Sequence, residues 1–338
     1  MTEASGTAPG VSVFLAVRNE EPYLREAVTR ILDQDYPGSF EVVLAVGPSD
    51  DATRAVADQL AADDARVTVV DNPTGLTPQG LNLAWRAAQH PYLVRVDGHS
   101  LLPDGYIATA VDVLRRTGAA NVGGMMLPQG VTPFQQAVAR AMSSRLGIGS
   151  EKFHTGGEAG PADTVYLGAY RRADLEEVGG FNEEFTRAQD WELNHRLIGA
   201  GKVVWFDPAL SVGYRPRGSW KALVKQFFTT GQWRSKVIET YPETASTRYF
   251  APPAAVTVVG LGGVIGLLGL LFGRRALRAF FAVPGLYAAG VTVGGLAAGK
   301  GLPLKAKAWL PAVIATMHMA WGAGFIKGVP GKTRPWHR

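Results

Sequence analysis

The segment VRVDGHS, residues 94–100, has the most distinctive side-chain chemistry in the sequence. Asp97 and His99 follow an apolar run and are separated by one glycine. In an extended segment, side chains two residues apart project to the same side. A carboxylate and an imidazole facing one crevice can hold a divalent cation that bridges the oxygens of a diphosphate. The ordinary alternative is an aspartate that caps a turn and a histidine satisfied by hydrogen bonds, and the two residues alone leave both possibilities open.

Asp190 is a second candidate. It follows the turn sequence Gly179, Gly180 and Phe181, and it begins a helix predicted over 191–198. The N-terminal end of a helix favours the charged form of a carboxylate. An ionised aspartate in a crevice can take the proton from a hydroxyl group as its oxygen attacks an electrophilic carbon. The ordinary alternative is a helix N-cap, which aspartate commonly forms.

The elements that must position these residues alternate between strands and helices. Residues 11–17 are a continuous apolar run, typical of a strand buried on both faces, and Pro22 opens a helix with one apolar face. Further strands are predicted at 42–46, 67–70 and 93–96, with helices near 52–62 and 78–88. This order predicts an α/β fold with a doubly wound, mainly parallel sheet. Ligands of such sheets bind beyond the carboxyl ends of the strands, where the candidate loops lie.

Several classes of site are excluded by what the sequence lacks. No GxGxxG follows a predicted strand, which argues against a dinucleotide site, and no GxxxxGK[ST] is present, which argues against a P-loop ATPase. The chain has no cysteine, so disulfides, thiolate metal sites and cysteine nucleophiles are excluded.

The last 88 residues differ in composition from the rest. All 29 acidic residues precede residue 251, together with 24 of the 34 basic ones, so the first part is acidic and the tail basic. Apolar stretches at 252–272, 279–299 and 308–326 each approach the roughly 20 residues that a membrane-spanning helix needs. About three spans are therefore predicted over 251–328. The distribution of basic residues leaves their orientation open, and Pro303 and Pro311 leave room for a re-entrant third segment.

Between these parts, residues 219–238 have an apolar face at helical spacing and a basic opposite face. Such a helix suits the plane of a membrane interface, although a surface helix packed on its own domain fits nearly as well. Residues 1–10 are polar, predicted to be disordered, and without a signal peptide, so the first 250 residues are expected in the cytoplasm. The basic patches do not indicate nucleic acid, because the first part is acidic and the spans adjoin it.

At this point the chain resembles the inverting, GT-A-fold glycosyltransferases of family 2, and among them the bacterial exopolysaccharide glycosyltransferases of the succinoglycan type. The resemblance covers roughly 11–236. It is carried by VSVFLAVRNEE at 11–21, GPSDDAT at 47–53, DGH at 97–99 in place of the DxD metal motif, VGGFNEEFTRAQDWELNHRL at 178–197, and QFFTTGQWR at 226–234.

The resemblance implies roles for individual residues. Asp190 becomes the catalytic base, and Asp97 and His99 become ligands of Mn²⁺ or Mg²⁺. Contacts to the nucleotide-sugar donor are expected from Ala16, Arg18, Glu20, Ser49, Asp51, Asn82 and Asp97. Contacts to the acceptor or its diphosphate are expected from Asp163, Gln189, Arg215, Arg217, Gln226, Trp233 and Arg234. Ordinary structural roles remain as alternatives for several of these residues: Glu20 as a helix cap, Asn82 as a helix-surface amide, Asp163 as a turn residue, and the arginines as partners of anionic headgroups.

Two positions depart from the family pattern. Val46 and Gly47 stand where family members often carry an aspartate pair that contacts the nucleobase, so base recognition is left to backbone groups, Ser49 or Asp51, and uridine specificity is not implied. His99 replaces the last aspartate of the metal motif, which favours manganese over magnesium.

The expected function is a membrane-anchored inverting glycosyltransferase that moves a sugar from a nucleotide-sugar donor to a polyprenyl-diphosphate-linked saccharide. Alternatives are a polyprenyl-phosphate sugar synthase, a processive polymerase and a non-catalytic membrane scaffold with a decayed donor site. The expected location is the plasma (inner) membrane, multi-pass, with the catalytic domain cytoplasmic. The expected organisation is a disordered 1–10, a catalytic domain at 11–215, interfacial helices at 216–250, the membrane region at 251–328 and a basic tail at 329–338.

Overall fold

The computed structural model describes residues 8–149, 151–329 and 331. They divide into two compact units, and each is described by itself. Unit 1 comprises residues 8–127 and Thr155–Arg215, and unit 2 comprises Pro128–His154 and the described residues from 216 to 331. Most of the predicted disordered N-terminus and of the predicted basic tail lies outside the described residues.

The strands are β1 Val11–Val17, β2 Phe40–Val46, β3 Val67–Asp71, β4 Tyr92–Arg95, β5 Asn121–Gly124, β6 Met126–Pro128, β7 Gly160–Pro161, β8 Tyr166–Arg171, β9 Val204–Phe206 and β10 Val212–Tyr214. Eight of them form one sheet in the order β3-β2-β1-β4-β8-β5-β9-β7, and β10 pairs with β6. The pairs β1–β2, β1–β4, β2–β3 and β5–β9 are parallel, whereas β8 is antiparallel to both of its neighbours. The predicted mainly parallel α/β sheet is confirmed.

The helices are α1 Glu21–Leu32, α2 Thr53–Asp63, α3 Thr77–Ala87, α4 Tyr106–Thr117, α5 Pro133–Met142, α6 Arg145–Ile148, α7 Lys152–Thr155, α8 Arg172–Glu177, α9 Gln189–Gly199, α10 Trp220–Thr240, α11 Thr247–Leu271, α12 Arg275–Arg278, α13 Ala282–Ala298 and α14 Leu304–Lys327. Short 3-10 turns lie at Pro208–Leu210, Pro242–Thr244 and Ala279–Phe281.

Unit 1 has a hydrophobic layer on each face of its sheet. Alternate residues of β1 and β2 share one core with the apolar faces of α1, α2 and α4. On the other face, the rings of Phe14, Tyr170 and Phe181 lie with centroids 6.2–6.4 Å apart. Because β1 is buried on both sides, its sequence is a continuous apolar run, as predicted.

Unit 2 consists of helices, and three of them are long and apolar enough to cross a membrane: Thr247–Leu271, Arg275–Ala298 and Leu304–Lys327. Helix α5 starts with a capping box formed by Thr132 and Gln135 and packs on α14. Helix α10 also packs on α14, and the approach is close: a side chain at Gly231 would meet the backbone oxygen of Trp321. The segment 128–154 thus belongs to unit 2, although it falls within the domain predicted for 11–215.

Candidate active site

Arg95, the last residue of β4, joins the two carboxylates to which the sequence drew attention. Its Nη2 donates to Oδ1 of Asp97 at 2.8 Å, and its Nη1 donates to Oδ1 of Asp190. Asp97 follows β4 by two residues, and Asp190 is the second residue of α9. The carboxyl end of a strand and the first turn of a helix therefore meet at one guanidinium group, which brings the two carboxylates together.

The three charges differ in their exposure. Arg95 is 4% exposed, whereas the side chains of Asp97 and Asp190 are 28% and 36% exposed. Burial alone would lower the pKa of Arg95, but Asp190 and Asp97 raise it above its ordinary value. Burial alone would raise the pKa of Asp97, but Arg95 and then His99 hold it below its ordinary value. The site therefore presents carboxylate oxygens toward solvent over a buried positive charge.

The start of α9 is held by contacts to the preceding turn. Arg196 donates to both oxygens of the fully buried Glu192 at 2.8 Å, and to the carbonyl oxygens of Val178 and Gly180 at 2.6 and 2.7 Å. The N-cap residue is Ala188, with a left-handed φ of 57°. Asp190 lies inside the helix, so the alternative that it is an ordinary N-cap is wrong. Its carboxylate is directed to Arg95 instead.

Asp97 and His99 lie on a turn closed by a hydrogen bond from the Ser100 amide to the Asp97 carbonyl oxygen at 2.9 Å. The expectation of an extended segment is therefore wrong, because the chain reverses at Gly98. The Nδ1 of His99 lies 2.8 Å from Oε1 of Glu20, the residue that precedes α1. The predicted helix-cap alternative for Glu20 is not observed, since its side chain makes no cap hydrogen bond.

The donor set around this turn fits a cation that is shared with a substrate. Metal-binding histidines usually donate their other ring N–H to a carboxylate, which leaves a lone pair on the ligating nitrogen. The Glu20 contact to Nδ1 of His99 fits this arrangement. No group of three or more histidine, aspartate or glutamate side chains suited to a metal occurs in the described part of the chain. The oxygens of a bound diphosphate and water would have to complete the coordination.

The loops after β1 and β2 are bonded to each other. The Asn19 amide donates to the Ser49 hydroxyl at 3.1 Å, and the Glu21 amide donates to Asp51 at 3.2 Å. Asp51 also accepts from the Thr53 amide and hydroxyl, and the Thr53 hydroxyl in particular lowers the pKa of Asp51. Ser49 and Asp51, both predicted to contact the donor, thus fix the shape of the loop pair. Arg18, at the end of β1, is exposed beside them.

A family model described as glycosyl transferase family 2 matches residues 12–179. The succinoglycan biosynthesis protein ExoA of Rhizobium meliloti (strain 1021) is 31% identical over 324 residues, which are 94% of this chain and 94% of that protein. The chain belongs to glycosyl transferase family 2. The predicted resemblance to succinoglycan-type glycosyltransferases is confirmed. Glycosyltransferase AglE of Haloferax volcanii is 25% identical over 69% of this chain and 75% of its own length.

A similar fold is also seen in solved structures of low sequence identity. The mannosyltransferase PcManGT from Pyrobaculum calidifontis, in complex with GDP-Man and Mn²⁺, superposes with a TM-score of 0.58 at 21% identity, over 95% of this chain and 89% of its own. Residues 1–349 of S. aureus TarS, in complex with UDP-GlcNAc, superpose with a TM-score of 0.51 at 15% identity, over 94% and 90%. These likenesses confirm the predicted GT-A type of fold.

The structure explains one departure from the family 2 pattern. A Cβ atom on Gly47 would lie 2.8 Å from the Cα of Gly75, so any side chain there would collide with the backbone of the loop after β3. An aspartate at this position requires that loop to move away. Glycine at position 47 therefore allows the loops after β2 and β3 to pack closely, in the place where family members often carry an acidic side chain.

The other predicted donor contacts are held by the protein itself. Ala16 lies within β1, opposite Ala45 of β2. Asn82, on α3, is 1% exposed, so the helix-surface alternative is wrong. Its amide nitrogen donates to the carbonyl oxygen of Phe181 and to Glu183, and its oxygen accepts from the Phe181 amide and the Trp85 ring. Asn82 therefore ties α3 to the turn that precedes α9.

The predicted acceptor residues have different surroundings. Gln189, the first residue of α9, is buried, and Asp163 is exposed at a bend three residues before β8. Arg215 pairs with Glu26 of α1 at 3.2 Å. In unit 2, Arg217 is exposed, and Gln226, Trp233 and Arg234 lie on α10.

Two functional features were missed by the sequence reasoning. Arg95 was not singled out from the sequence. A charged residue in an apolar strand, directly before the candidate metal motif, could have indicated that it pairs with a carboxylate of the site. Glu20 was assigned to the donor, whereas its carboxylate contacts His99. The residues are far apart in sequence, so no spacing could have indicated that pair.

Proposed function

We propose that the protein is a metal-dependent, inverting glycosyltransferase that moves a sugar from a nucleotide-sugar donor to a polyprenyl-diphosphate-linked saccharide. The observation that carries this proposal is the common contact of Asp97 and Asp190 with Arg95. A single displacement needs a group that holds the leaving diphosphate and a base for the incoming hydroxyl at one location. Membership of family 2 and the exposure of both carboxylates support this assignment.

The reaction requires one proton transfer and one substitution. Asp190 accepts the proton of the acceptor hydroxyl while that oxygen forms a bond to the anomeric carbon. The bond from this carbon to the donor diphosphate breaks, the nucleoside diphosphate departs with the bonding electrons, and the configuration inverts. Arg95, which is buried, holds the Asp190 carboxylate in place.

Asp97 and His99 would hold the cation, and the Glu20 contact would orient the His99 ring. When bound, a divalent cation supplies positive charge that stabilises the departing diphosphate. The structural relatives in complex with GDP-Man and Mn²⁺ or with UDP-GlcNAc support a nucleotide-sugar donor and a divalent cation. The loop pair formed by residues 18–21 and 47–53 is the proposed nucleoside side of the site.

A lipid-linked acceptor is proposed from the second unit and from the relatives. Three helices of unit 2 are long and apolar enough to cross a membrane, and the 31% identical relative is named for succinoglycan biosynthesis. A saccharide carried on a membrane lipid is an acceptor that a membrane-anchored transferase can reach repeatedly. We propose the plasma membrane as the location, with unit 1 on its cytoplasmic face, where nucleotide-sugar donors are available.

The test uses the full-length protein in detergent, supplied with Mn²⁺, radiolabelled nucleotide sugars and membrane lipid extract. We expect a labelled lipid from one donor, and loss of at least about a hundredfold in turnover for Asp190→Asn with donor binding retained. Asp112→Asn, on the exposed side of α4, is the matched control and should behave as wild type. Wild-type turnover in Asp190→Asn would remove this residue from the mechanism, and silence with every donor would favour a non-catalytic scaffold.

A further inference from the structure

Unit 2 contains a cavity of about 410 Å³, and one of its lining residues, Arg234, is among the predicted acceptor contacts. Its walls come from the segment that holds α6 and α7, from α10, from the first turns of α11 and from the middle of α14. Pockets that bind small molecules in other proteins have volumes of roughly 300–1,000 Å³. The cavity is therefore large enough for a ligand, and every residue lining it belongs to unit 2.

The charged residues of the cavity are mostly positive. Arg145, Arg234 and Arg248 line it, and Glu151 is the one acidic residue in the described lining. Arg248 pairs with Glu151 at 2.6 Å, and the described lining holds three arginines against this one carboxylate. Arg145 is exposed and makes no ion pair within the described residues. The cavity therefore has an excess of positive charge, suited to an anion.

Tyr249 organises two of these guanidinium groups. The guanidinium carbons of Arg234 and Arg248 lie 4.4 and 4.7 Å from the centre of its ring, and Arg248 donates to its hydroxyl at 2.7 Å. Burial lowers the pKa of Arg234, with Tyr249 and Glu151 opposing the change, but an arginine stays charged at neutral pH. Two planar donors held on one aromatic ring match the several oxygens of a phosphate or diphosphate.

The remaining walls are largely apolar. Phe153, Phe227, Met317 and Trp321 contribute carbon-rich surface. His154 is buried, and burial lowers its pKa to about 3, so it is neutral near pH 7 and adds no charge. A small soluble anion would leave this apolar surface in contact with water, whereas a ligand with a hydrocarbon chain would cover it.

We propose that this cavity binds the phosphate-bearing end of a membrane lipid, with Arg145, Arg234 and Arg248 around the phosphate groups and the aromatic walls against the first carbons of the chain. One of its walls, the first turns of α11, begins a candidate membrane helix, so a lipid can enter from the bilayer. That the lipid is the isoprenoid carrier of the acceptor rests on the function proposed above, but binding itself does not.

The test is direct binding without any sugar donor. Full-length protein in a zwitterionic detergent is titrated with a tritium-labelled, three-unit isoprenoid diphosphate. We expect saturable binding that the unlabelled compound displaces, and that the matching isoprenol, inorganic diphosphate and short-chain phosphatidylglycerol displace at least about tenfold more weakly. Equal displacement by inorganic diphosphate would overturn a lipid site, and equal displacement by phosphatidylglycerol would overturn the carrier as its occupant.

Variants connect the binding to the cavity. Loss of one charge-assisted contact should weaken binding roughly tenfold or more, so Arg234→Met and Arg145→Met should both have raised dissociation constants. Arg145 is exposed, so its substitution should leave folding intact even if Arg234→Met is unstable. Arg274→Met is the matched control, because Arg274 is exposed and does not line the cavity.

Wild-type affinity in both cavity variants would overturn the assignment of this cavity. Failure of the proposed function would look different: the wild-type protein would bind the isoprenoid diphosphate but transfer sugar from no donor.

Discussion

Arg95 has more influence on the proposed site than either carboxylate, because each carboxylate depends on it. The residue ends a strand in which every neighbour is apolar, and its Nε has no hydrogen-bond partner among the described residues. A buried guanidinium is tolerated only when its charge is paired, and here the two pairs are Asp97 and Asp190. The buried charge therefore fixes how close the two carboxylates lie.

Arg95→Met removes that charge and leaves the two carboxylates to repel each other. We expect a loss of about 2 kcal/mol in unfolding free energy, measured by thermal unfolding in detergent, and a fall of about a hundredfold in turnover. Adding Asp190→Asn to Arg95→Met should restore part of the stability, because one of the repelling charges is gone. An additive loss in the double variant would show that Arg95 and Asp190 are not coupled.

His154 offers a pH test of burial in unit 2. Its folded-state pKa is lowered from 6.5 to about 3, so between these values the unfolded chain binds a proton that the folded chain does not. Stability must therefore fall as the pH falls below about 6.5. We expect wild type to lose about 2 kcal/mol more than His154→Phe between pH 7.5 and pH 5, measured as melting temperatures. Equal losses would show that residue 154 is accessible to protons in the folded state.

Asp97, His99 and Asp190 could be singled out from the sequence because each lies in a short motif beside a recognisable strand or turn. The contacts that these residues make could not be predicted from the sequence, because each contact joins residues that only folding brings together. Residues 95 and 190, or 20 and 99, share no periodicity that could be read along the chain. The helix-surface alternative for Asn82 was wrong for a related reason. Its sequence context is that of a surface amide, and only the packing of α3 on the Phe181 turn buries it.

At the scale of elements, Arg196 joins α9 to the turn that precedes it. Arg196 is bonded to Glu192, which is 0% exposed, and to two carbonyl oxygens of the turn before the helix. Removing one partner of a buried ion pair leaves an uncompensated charge, which typically costs about 3–5 kcal/mol. The orientation of Asp190 depends on this helix, so stability and activity should change together.

Arg196→Met should therefore lower the unfolding free energy by about 3 kcal/mol and reduce turnover, and adding Glu192→Gln should recover part of the stability. Arg54→Met is the matched control, since Arg54 pairs with Asp58 on the surface and such pairs contribute about 1 kcal/mol or less. Melting temperatures and initial rates measure both effects. Full activity in Arg196→Met would mean that α9 is held by its other contacts.

The strands at the start of the chain were predictable, whereas most of those that follow Asp97 were not. Strands β1 to β4 are parallel, and β1, β2 and β4 are largely buried, so they appear as apolar runs separated by amphipathic helices. Strand β8 enters the sheet between β4 and β5 in the opposite direction, and β7 and β9 have only two and three residues. Elements this short have no periodicity to detect.

At the scale of the molecule, α14 differs from the other two candidate membrane helices. The most apolar stretch of α14 is 39% buried within the protein, whereas the corresponding stretches of Thr247–Leu271 and Arg275–Ala298 are 17% and 11% buried. Helix α10 runs along it: Trp220 lies beside Trp309 with ring centres 6.1 Å apart, and Gln232 donates to the carbonyl oxygen of Gly328 at 2.8 Å.

The charges of α10 make it an unsuitable neighbour for a spanning helix. Lys221 and Lys225 are exposed on α10, and such charges are costly inside a bilayer. If α14 crossed the membrane, α10 would have to accompany it along its length. We therefore expect α11 and the segment Arg275–Ala298 to cross as a hairpin, with α14 lying at the membrane surface alongside α10.

Cysteine labelling distinguishes two spans from three, and the natural chain contains no cysteine to interfere. In intact cells treated with a membrane-impermeant maleimide, Arg274→Cys, in the turn of the hairpin, should be labelled, whereas Asp112→Cys, in unit 1, should be labelled only after permeabilisation. Ile326→Cys, at the exposed end of α14, decides the question. With a two-helix hairpin it behaves like Asp112→Cys. If α14 crosses the bilayer, it is labelled in intact cells like Arg274→Cys, and the hairpin topology is wrong.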